Sequence, residues 1–171
     1  MKNELFYRIF TSIIGLPILF YLTYLGGNTL IFLLTIIYLL SFYEIIRNSK
    51  NLIFNIIANL ILIGASISFY LIRGVDLNSF ILLWWILSIV ILSDTGGYIF
   101  GKILKGKKLT KISPKKTYAG AYGSLFLSTM SIPLFNLLQN IFYEVYLINF
   151  FKFKFLIISI IFSLICQAGD L

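Results

Sequence analysis

The sequence predicts an all-α integral membrane protein with about six transmembrane helices and a cytoplasmic N-terminus. Of the 171 residues, 60% are hydrophobic and only 12% are charged, whereas a soluble domain averages about 25% charged residues. Apolar segments long enough to cross a hydrocarbon core of about 30 Å recur along the whole chain. No linker or internal repeat interrupts them, so residues 1–171 are predicted to form a single multi-pass membrane domain.

The predicted spans are about 9–25, 29–46, 52–72, 79–100, 119–138 and 153–170, from the length an apolar helix needs to cross a bilayer. The first follows Lys2 and Arg8; it is longer than the apolar region of a signal peptide, and no A-x-A-like cleavage site follows, so we expect it to be retained. A tight turn at 26–28 precedes the second span, and a basic loop at 47–51 precedes the third.

A short neutral loop at 73–76 leads into the fourth span, and the only long polar loop, 101–118, leads into the fifth. The fourth and sixth spans are the least regular. Within the fourth, Gly101 is expected to mark the end of the helix, because glycine often terminates helices.

The distribution of lysine and arginine sets the predicted orientation. With the N-terminus inside, eleven basic residues lie on the cytoplasmic side: Lys2, Arg8, Arg47, Lys50, Lys102, Lys105, Lys107, Lys108, Lys111, Lys115 and Lys116. Three lie outside: Arg73, Lys152 and Lys154. This asymmetry over short loops follows the positive-inside rule.

The composition also excludes some classes of chemistry. The chain has no histidine, which excludes histidine metal ligands and Ser-His or Cys-His nucleophilic pairs. Its single cysteine, Cys166, cannot form an internal disulfide. The net charge of +8 lies between spans, so it indicates membrane topology, and no nucleic acid partner is expected.

Asp94 is the most informative residue, because a span that starts near Ser79 places it inside the membrane helix. A carboxylate there costs a few kcal/mol and usually faces protein or a water-filled cavity; the alternative is an interfacial residue that ends a short span. Gly96 and Gly97 follow, and their missing side chains allow another backbone or a ligand to come close.

The loop after this helix carries seven lysines within residues 102–116. They can serve as a topology determinant or attract anionic lipid. Charge alone does not explain the order of Ser113–Thr117 (SPKKT), in which Pro114 fixes the backbone beside two cations and two hydroxyls. Such a turn can present ammonium and hydroxyl donors together to phosphate oxygens.

A second carboxylate, Asp170, follows the sixth apolar segment and shares the predicted side of the membrane with Asp94 and the lysine loop. Two carboxylates and substrate phosphates suit Mg²⁺, which prefers oxygen ligands. Glu44 and Arg47 either join this site or pair with each other across one helical turn.

The chain resembles the phosphatidate cytidylyltransferases, also called CDP-diacylglycerol synthases. The resemblance rests on Asp94–Tyr98 (DTGGY), Phe100–Lys102 (FGK), Ser113–Thr117 and Gly169–Leu171 (GDL), and extends to Arg8–Thr11. Glu44 and Arg47 also fit the family. The resemblance implies a Mg²⁺-dependent membrane enzyme, in the bacterial inner membrane, that uses CTP and phosphatidate in phospholipid biosynthesis, with a possible homodimer.

The resemblance also implies roles for individual residues. The expected catalytic residues are Asp94, Lys115, Lys116 and Asp170. The expected binding residues are Ser113, Thr117, Lys102 and Gly97. Asp94 and Asp170 are the expected metal ligands.

Two departures from the family pattern affect these expectations. Ala119 stands where the family usually has Glu, and the chain lacks the C-terminal signature that follows Gly-Asp-Leu in the family. We therefore expect a truncated chain with little or no activity on its own.

Three other readings remain open. A CTP-dependent lipid or polyprenol kinase would transfer the γ-phosphate. A small transporter or channel subunit would show broken helices or paired halves, and the polar residues here cluster at one face instead. A non-catalytic remnant would fold in the membrane and bind nothing.

Overall fold

The structure, a computed structural model, describes residues 2–109, 113, 116–143 and 148–169, with side chains from residue 13 onward except that of Tyr143. The helices are α1 (Lys2–Leu25), α2 (Gly27–Asn48), α3 (Leu52–Arg73), α4 (Leu77–Leu104), α5 (Tyr118–Tyr143) and α6 (Phe153–Gly169). In the part of the chain described, the extended structure is a single bridge between Lys108 and Thr117. The all-α class is confirmed.

The apolar runs in the sequence correspond closely to these helices, because an uninterrupted apolar segment in a bilayer must satisfy its backbone internally. Within the described residues, four helices are long and apolar enough to cross a membrane: α2, α3, α4 and α5. The apolar part of α1 from Ile13 onward and α6 are shorter. Six spans and an inward N-terminus therefore remain predictions.

The chain divides into two compact units, Met1–Leu83 and Trp84–Leu171. In the first unit, α1 and α2 are joined at Gly26, whose positive φ of 64° favours glycine. The predicted tight turn is thus confirmed. A Cβ atom at Gly26 would also lie 3.1 Å from Nη2 of Arg73, so the absence of a side chain leaves room for that guanidinium.

Arg73, which was predicted to lie in a loop on the outer side, has a different environment in the structure. It is the last residue of α3 and is buried. Its guanidinium donates to the carbonyl oxygens of Thr23 and Tyr24 near the end of α1, and it lies 5.2 Å from the ring centre of Phe80. A cation at the C-terminal end of a helix is electrostatically favourable, so the guanidinium stabilises the end of α1 that it contacts.

The prediction that Gly101 ends the fourth helix is wrong. Helix α4 continues to Leu104, and the chain leaves it through Lys105 and Gly106, which have φ values of 53° and 108°. A left-handed residue followed by glycine is a common helix ending. Gly101 instead lies where α4 approaches α5: its Cβ would be 3.6 Å from Cα of Gly120.

The second unit has an aromatic core at the end of α5 remote from the lysine loop. Trp85 and Phe150 are fully buried, and their ring centres lie 5.1 Å apart. Phe155 at the start of α6 packs against both rings, at 5.1 and 4.9 Å. Aromatic rings at these distances attract each other beyond the area they bury.

Two buried amides of α5 fix the connection to α6. Gln139 donates to the carbonyl of Ile148 at 2.9 Å and accepts from its N–H at 2.8 Å. Asn136 accepts from the N–H of Phe150 at 3.1 Å. These side chains pair backbone groups that no helix satisfies at this point, which an apolar surrounding would otherwise penalise.

Buried serines recur on the helices of this unit. Ser93 on α4 and Ser163 on α6 are both buried, and their hydroxyl oxygens lie 2.8 Å apart. Other buried serines donate to carbonyls of their own helix: Ser128, Ser131 and Ser159. Small residues of this kind let membrane helices pack closely.

Candidate functional site

A close crossing of α4 and α5 positions the site. A Cβ atom at Gly96 would collide with the carbonyl oxygen of Gly123. One at Gly120 would lie 2.8 Å from the carbonyl oxygen of Gly97. Only glycine fits at these positions, so the backbones meet directly. The expectation that the glycines after Asp94 admit another backbone is confirmed.

Thr117 begins α5 and sets the direction of its first turn. Its Oγ1 accepts a hydrogen bond from the N–H of Gly120 at 3.1 Å, three residues later. This is the geometry of a helix N-cap, for which threonine is well suited. The N-terminus of α5, with its partial positive charge, therefore lies beside Gly97 and Gly101 of α4.

The described parts of the lysine loop form a short antiparallel clip. The N–H of Leu109 donates to the carbonyl of Lys116 at 2.8 Å, and the N–H of Tyr118 donates to that of Lys107 at 3.1 Å. The N–H of Lys116 also donates to the carbonyl of Ser113 at 3.1 Å. Lys116 and Thr117 therefore have defined positions despite the length of the loop.

Helix α6 is attached to this clip at its C-terminal end. The Nζ atom of Lys116 donates to the main-chain carbonyl of Gln167 at 3.2 Å. The side-chain amide of Gln167 donates to the carbonyl of Ala121 on α5 at 3.4 Å. A cation at the negative end of a helix is electrostatically favourable, so one end of each of α4, α5 and α6 meets at the loop.

A cavity of about 260 Å³ opens at this meeting point. Its lining residues are Asp94, Gly97, Tyr98, Gly101, Leu109, Lys116, Thr117, Gly120, Ala121, Ser124 and Gln167. The volume is slightly below the range of about 300–1,000 Å³ that is usual for small-molecule sites. It is therefore too small to enclose two whole substrates at once.

The cavity combines groups that bind anions with one carboxylate. The cation of Lys116, the hydroxyl of Thr117 and the start of α5 all favour a phosphate group. Asp94 is the acidic side chain of the described lining. It lies ten residues before the end of α4, about 15 Å along the helix axis, and its carboxylate is exposed at the cavity.

The structure brings together four of the residues singled out in the sequence: Asp94, Gly97, Lys116 and Thr117. Ser113 is half-buried and contributes its carbonyl to the clip, but it does not line the cavity. Lys102 is exposed, and its Nζ donates to Oη of Tyr98 at 3.2 Å, outside the lining. Its predicted binding role stays a prediction.

Two other predicted residues, Lys115 and Asp170, lie outside the described residues. Their predicted roles remain predictions. Glu44 and Arg47 are exposed near the end of α2 in the first unit. No ion pair joins these two described residues, and whether they join the site stays open.

Sequence reasoning missed Ser124 and Gln167, which both line the cavity. Ser124 was detectable in principle: Thr117, Gly120 and Ser124 recur at helical spacing and share one face of α5. Gln167 carries no comparable signal, because its contacts with Lys116 and Ala121 are about 50 residues away in sequence.

Comparisons with known proteins agree with this chemistry. The sequence model described as the cytidylyltransferase family matches residues 48–171. The chain is 30% identical to the phosphatidate cytidylyltransferase of Rickettsia typhi over 175 aligned residues, which cover 99% of this chain and 75% of that protein. The protein of the same name from Rickettsia prowazekii is also 30% identical, with the same coverage.

A protein from another bacterial genus gives a shorter match. The phosphatidate cytidylyltransferase of Staphylococcus saprophyticus is 42% identical over 84 residues, which cover 48% of this chain and 30% of that protein. No solved structure matches the chain.

Proposed function

Because the chain belongs to the cytidylyltransferase family, we propose that it transfers CMP from CTP to phosphatidate at the cytoplasmic face of a bacterial cell membrane. The products are CDP-diacylglycerol and pyrophosphate. The observation that carries this proposal is the convergence of Asp94, Lys116 and Thr117 on one cavity at the start of α5. The named activity of the relatives from Rickettsia and Staphylococcus supports the choice of substrates.

In the proposed reaction, a phosphate oxygen of phosphatidate attacks the α-phosphorus of CTP. A new P–O bond forms as the bond from the α-phosphorus to the bridging oxygen breaks, and that oxygen leaves with pyrophosphate. The protein supplies orientation and compensating charge, as is general for phosphoryl transfer. Lys116 and the N–H groups at the start of α5 offset phosphate charge, and the Thr117 hydroxyl donates to a phosphate oxygen.

Asp94 is the residue we propose as a Mg²⁺ ligand, with Asp170 as the second. The described residues contain no group of three acidic or sulfur ligands. Mg²⁺ does not need one, since one or two carboxylates plus substrate phosphates and water complete its coordination. The donor set at Asp94 therefore fits. When bound, the ion would polarise the phosphorus and neutralise the leaving oxygens.

A membrane location suits a lipid substrate. The acyl tails of phosphatidate would stay in the hydrocarbon while its phosphate reaches the loop at the ends of α4 and α5. The reaction would then take place at the boundary of the bilayer, where a soluble nucleotide can enter.

The purified full-length protein, assayed in detergent with Mg²⁺, phosphatidate and CTP labelled at either the α or the γ phosphorus, tests the proposal. We expect the α label in the lipid product and the γ label in pyrophosphate. Transfer of the γ label to lipid would instead identify a kinase. Solute flux in liposomes without nucleotide turnover would instead identify a transporter.

Lys116→Met should lower kcat/KM by about 10- to 100-fold, because a charge-assisted hydrogen bond contributes about 1.5–3 kcal/mol. Lys154→Met is the matched control, since Lys154 lies over the ring of Phe155 near the start of α6. Wild-type kinetics in Lys116→Met would remove this lysine from the reaction.

A further inference from the structure

We propose that Ser124 on α5 and Gln167 on α6 form a polar subsite for the nucleoside part of CTP, beside the phosphate-binding groups. This inference rests on the proposed function and deepens it. It assigns a substrate moiety to two lining residues that neither the sequence motifs nor the comparisons single out.

Ser124 is only 4% exposed, yet it lines the cavity. Among the described residues its hydroxyl has no hydrogen-bond partner. Other buried serines of the same unit behave differently: Ser128, for example, donates to the carbonyl of Leu125 at 2.8 Å. The Oγ atom is not one of the fully buried unpaired atoms of the described residues, so it is accessible from the cavity that Ser124 lines, where a ligand can complete its hydrogen bonding.

The position of the Ser124 hydroxyl depends on Gly97. A Cβ atom at Gly97 would lie 2.8 Å from Oγ of Ser124, so the glycine leaves room for the hydroxyl against α4. Gly97 lies three residues after Asp94, on the same face of the helix. The hydroxyl therefore lies against the turn of α4 that follows Asp94, about 10 Å along α5 from Thr117.

The amide of Gln167 has a defined orientation. Its contact with Ala121 is to a carbonyl, which can only accept, so the atom that donates must be Nε2. The same nitrogen lies 3.4 Å from Oγ of Ser163. This leaves Oε1 as an acceptor of a lining residue, and no donor among the described residues contacts it.

The Oε1 acceptor of Gln167 can bind only a substrate group that donates a hydrogen bond. Ionised phosphates and the ester carbonyls of phosphatidate offer acceptors. CTP offers donors in its ribose hydroxyls and in the 4-amino group of cytosine. Ser124 can donate or accept. The pair therefore suits the nucleoside, whereas Lys116 and Thr117 suit the phosphates.

Steady-state kinetics of the full-length enzyme test this assignment. Ser124→Ala and Gln167→Met should each raise the KM for CTP by about 5- to 10-fold, the value of one neutral hydrogen bond. Neither kcat nor the KM for phosphatidate should change more than about twofold, as expected for lost ground-state binding. Gln167→Met keeps the main-chain carbonyl that Lys116 contacts.

Ser128→Ala is the matched control: it removes a hydroxyl from a buried position one turn along α5 that does not line the cavity. Thermal unfolding in detergent establishes that each variant is folded. If Ser124→Ala fails to fold, Gln167→Met alone decides the question.

Two analogues of CTP, dCTP and UTP, identify which group of the nucleoside donates the hydrogen bond. Reduced discrimination against dCTP in the variants would assign the pair to the ribose, and reduced discrimination against UTP would assign it to the base; both support the subsite. An unchanged KM for CTP, or a raised KM for phosphatidate instead, would overturn it while leaving the proposed function intact. A wild-type enzyme that transfers no CMP would overturn the proposed function itself and this inference with it.

Discussion

Replacement of Asp94 by asparagine is expected to reduce CMP transfer by about 10³-fold, because a bound metal ion contributes several kcal/mol of transition-state stabilisation. The side chain keeps its size and its place in the cavity, but it loses the charge that a Mg²⁺ ligand needs. The measurement is kcat/KM in the labelled-CTP assay at several Mg²⁺ concentrations.

This substitution also allows a loss of catalysis to be distinguished from a loss of folded protein. A neutral amide inserts into a membrane more easily than a carboxylate, so Asp94→Asn should not reduce the amount of protein in the membrane. Asp76→Asn is the control, since Asp76 is an exposed carboxylate between α3 and α4. Activity of Asp94→Asn close to wild type, with an unchanged Mg²⁺ requirement, would remove the metal-ligand role.

Alanine at Gly96 should destabilise the protein by about 1–3 kcal/mol, the usual cost of overpacking. The added methyl group would meet the backbone of Gly123, which cannot rotate away, and Cβ of Leu127 at 3.1 Å. The two helices would have to separate. Because Asp94 and Thr117 lie on different helices of this crossing, activity should fall together with thermal stability in detergent.

Gly64 provides a control within the same chain. It lies in the middle of α3, and a Cβ atom there would meet nothing within 4 Å. Alanine is the better helix former by about 1 kcal/mol, so Gly64→Ala should leave the unfolding temperature unchanged or raise it. Equal unfolding temperatures for Gly64→Ala and Gly96→Ala would show that α4 and α5 do not cross in contact at Gly96.

The helices were predictable because their signal is local. A run of about 20 apolar residues has few alternatives to a helix in lipid, and Gly26 marked the first turn correctly. The prediction that Gly101 ends the fourth helix was wrong because glycine occurs in two settings. It ends helices at the membrane surface, and it lets helices approach each other within the membrane. Only the position of Gly120 on a neighbouring helix distinguishes the two.

The candidate site was predictable to the extent that its residues form short patterns. Asp94, Lys116 and Thr117 belong to compact motifs, and all three line the cavity. The environment of Arg73 was predicted wrongly and Gln167 was missed, because the partners of both are distant in sequence. The guanidinium of Arg73 contacts α1, and the side-chain amide of Gln167 contacts α5. Charge and hydropathy do not encode such pairings.

The hydrogen bonds from side-chain amides of α5 to the segment before α6 have a consequence for biosynthesis. Gln139 and Asn136 satisfy the backbone of Ile148 and Phe150, so this corner exposes fewer unpaired polar groups to lipid. Helix α6 has 17 residues, at the short end of what crosses a bilayer. We therefore expect α5 and α6 to leave the translocon as one hairpin, with the longer helix carrying the shorter one into the bilayer.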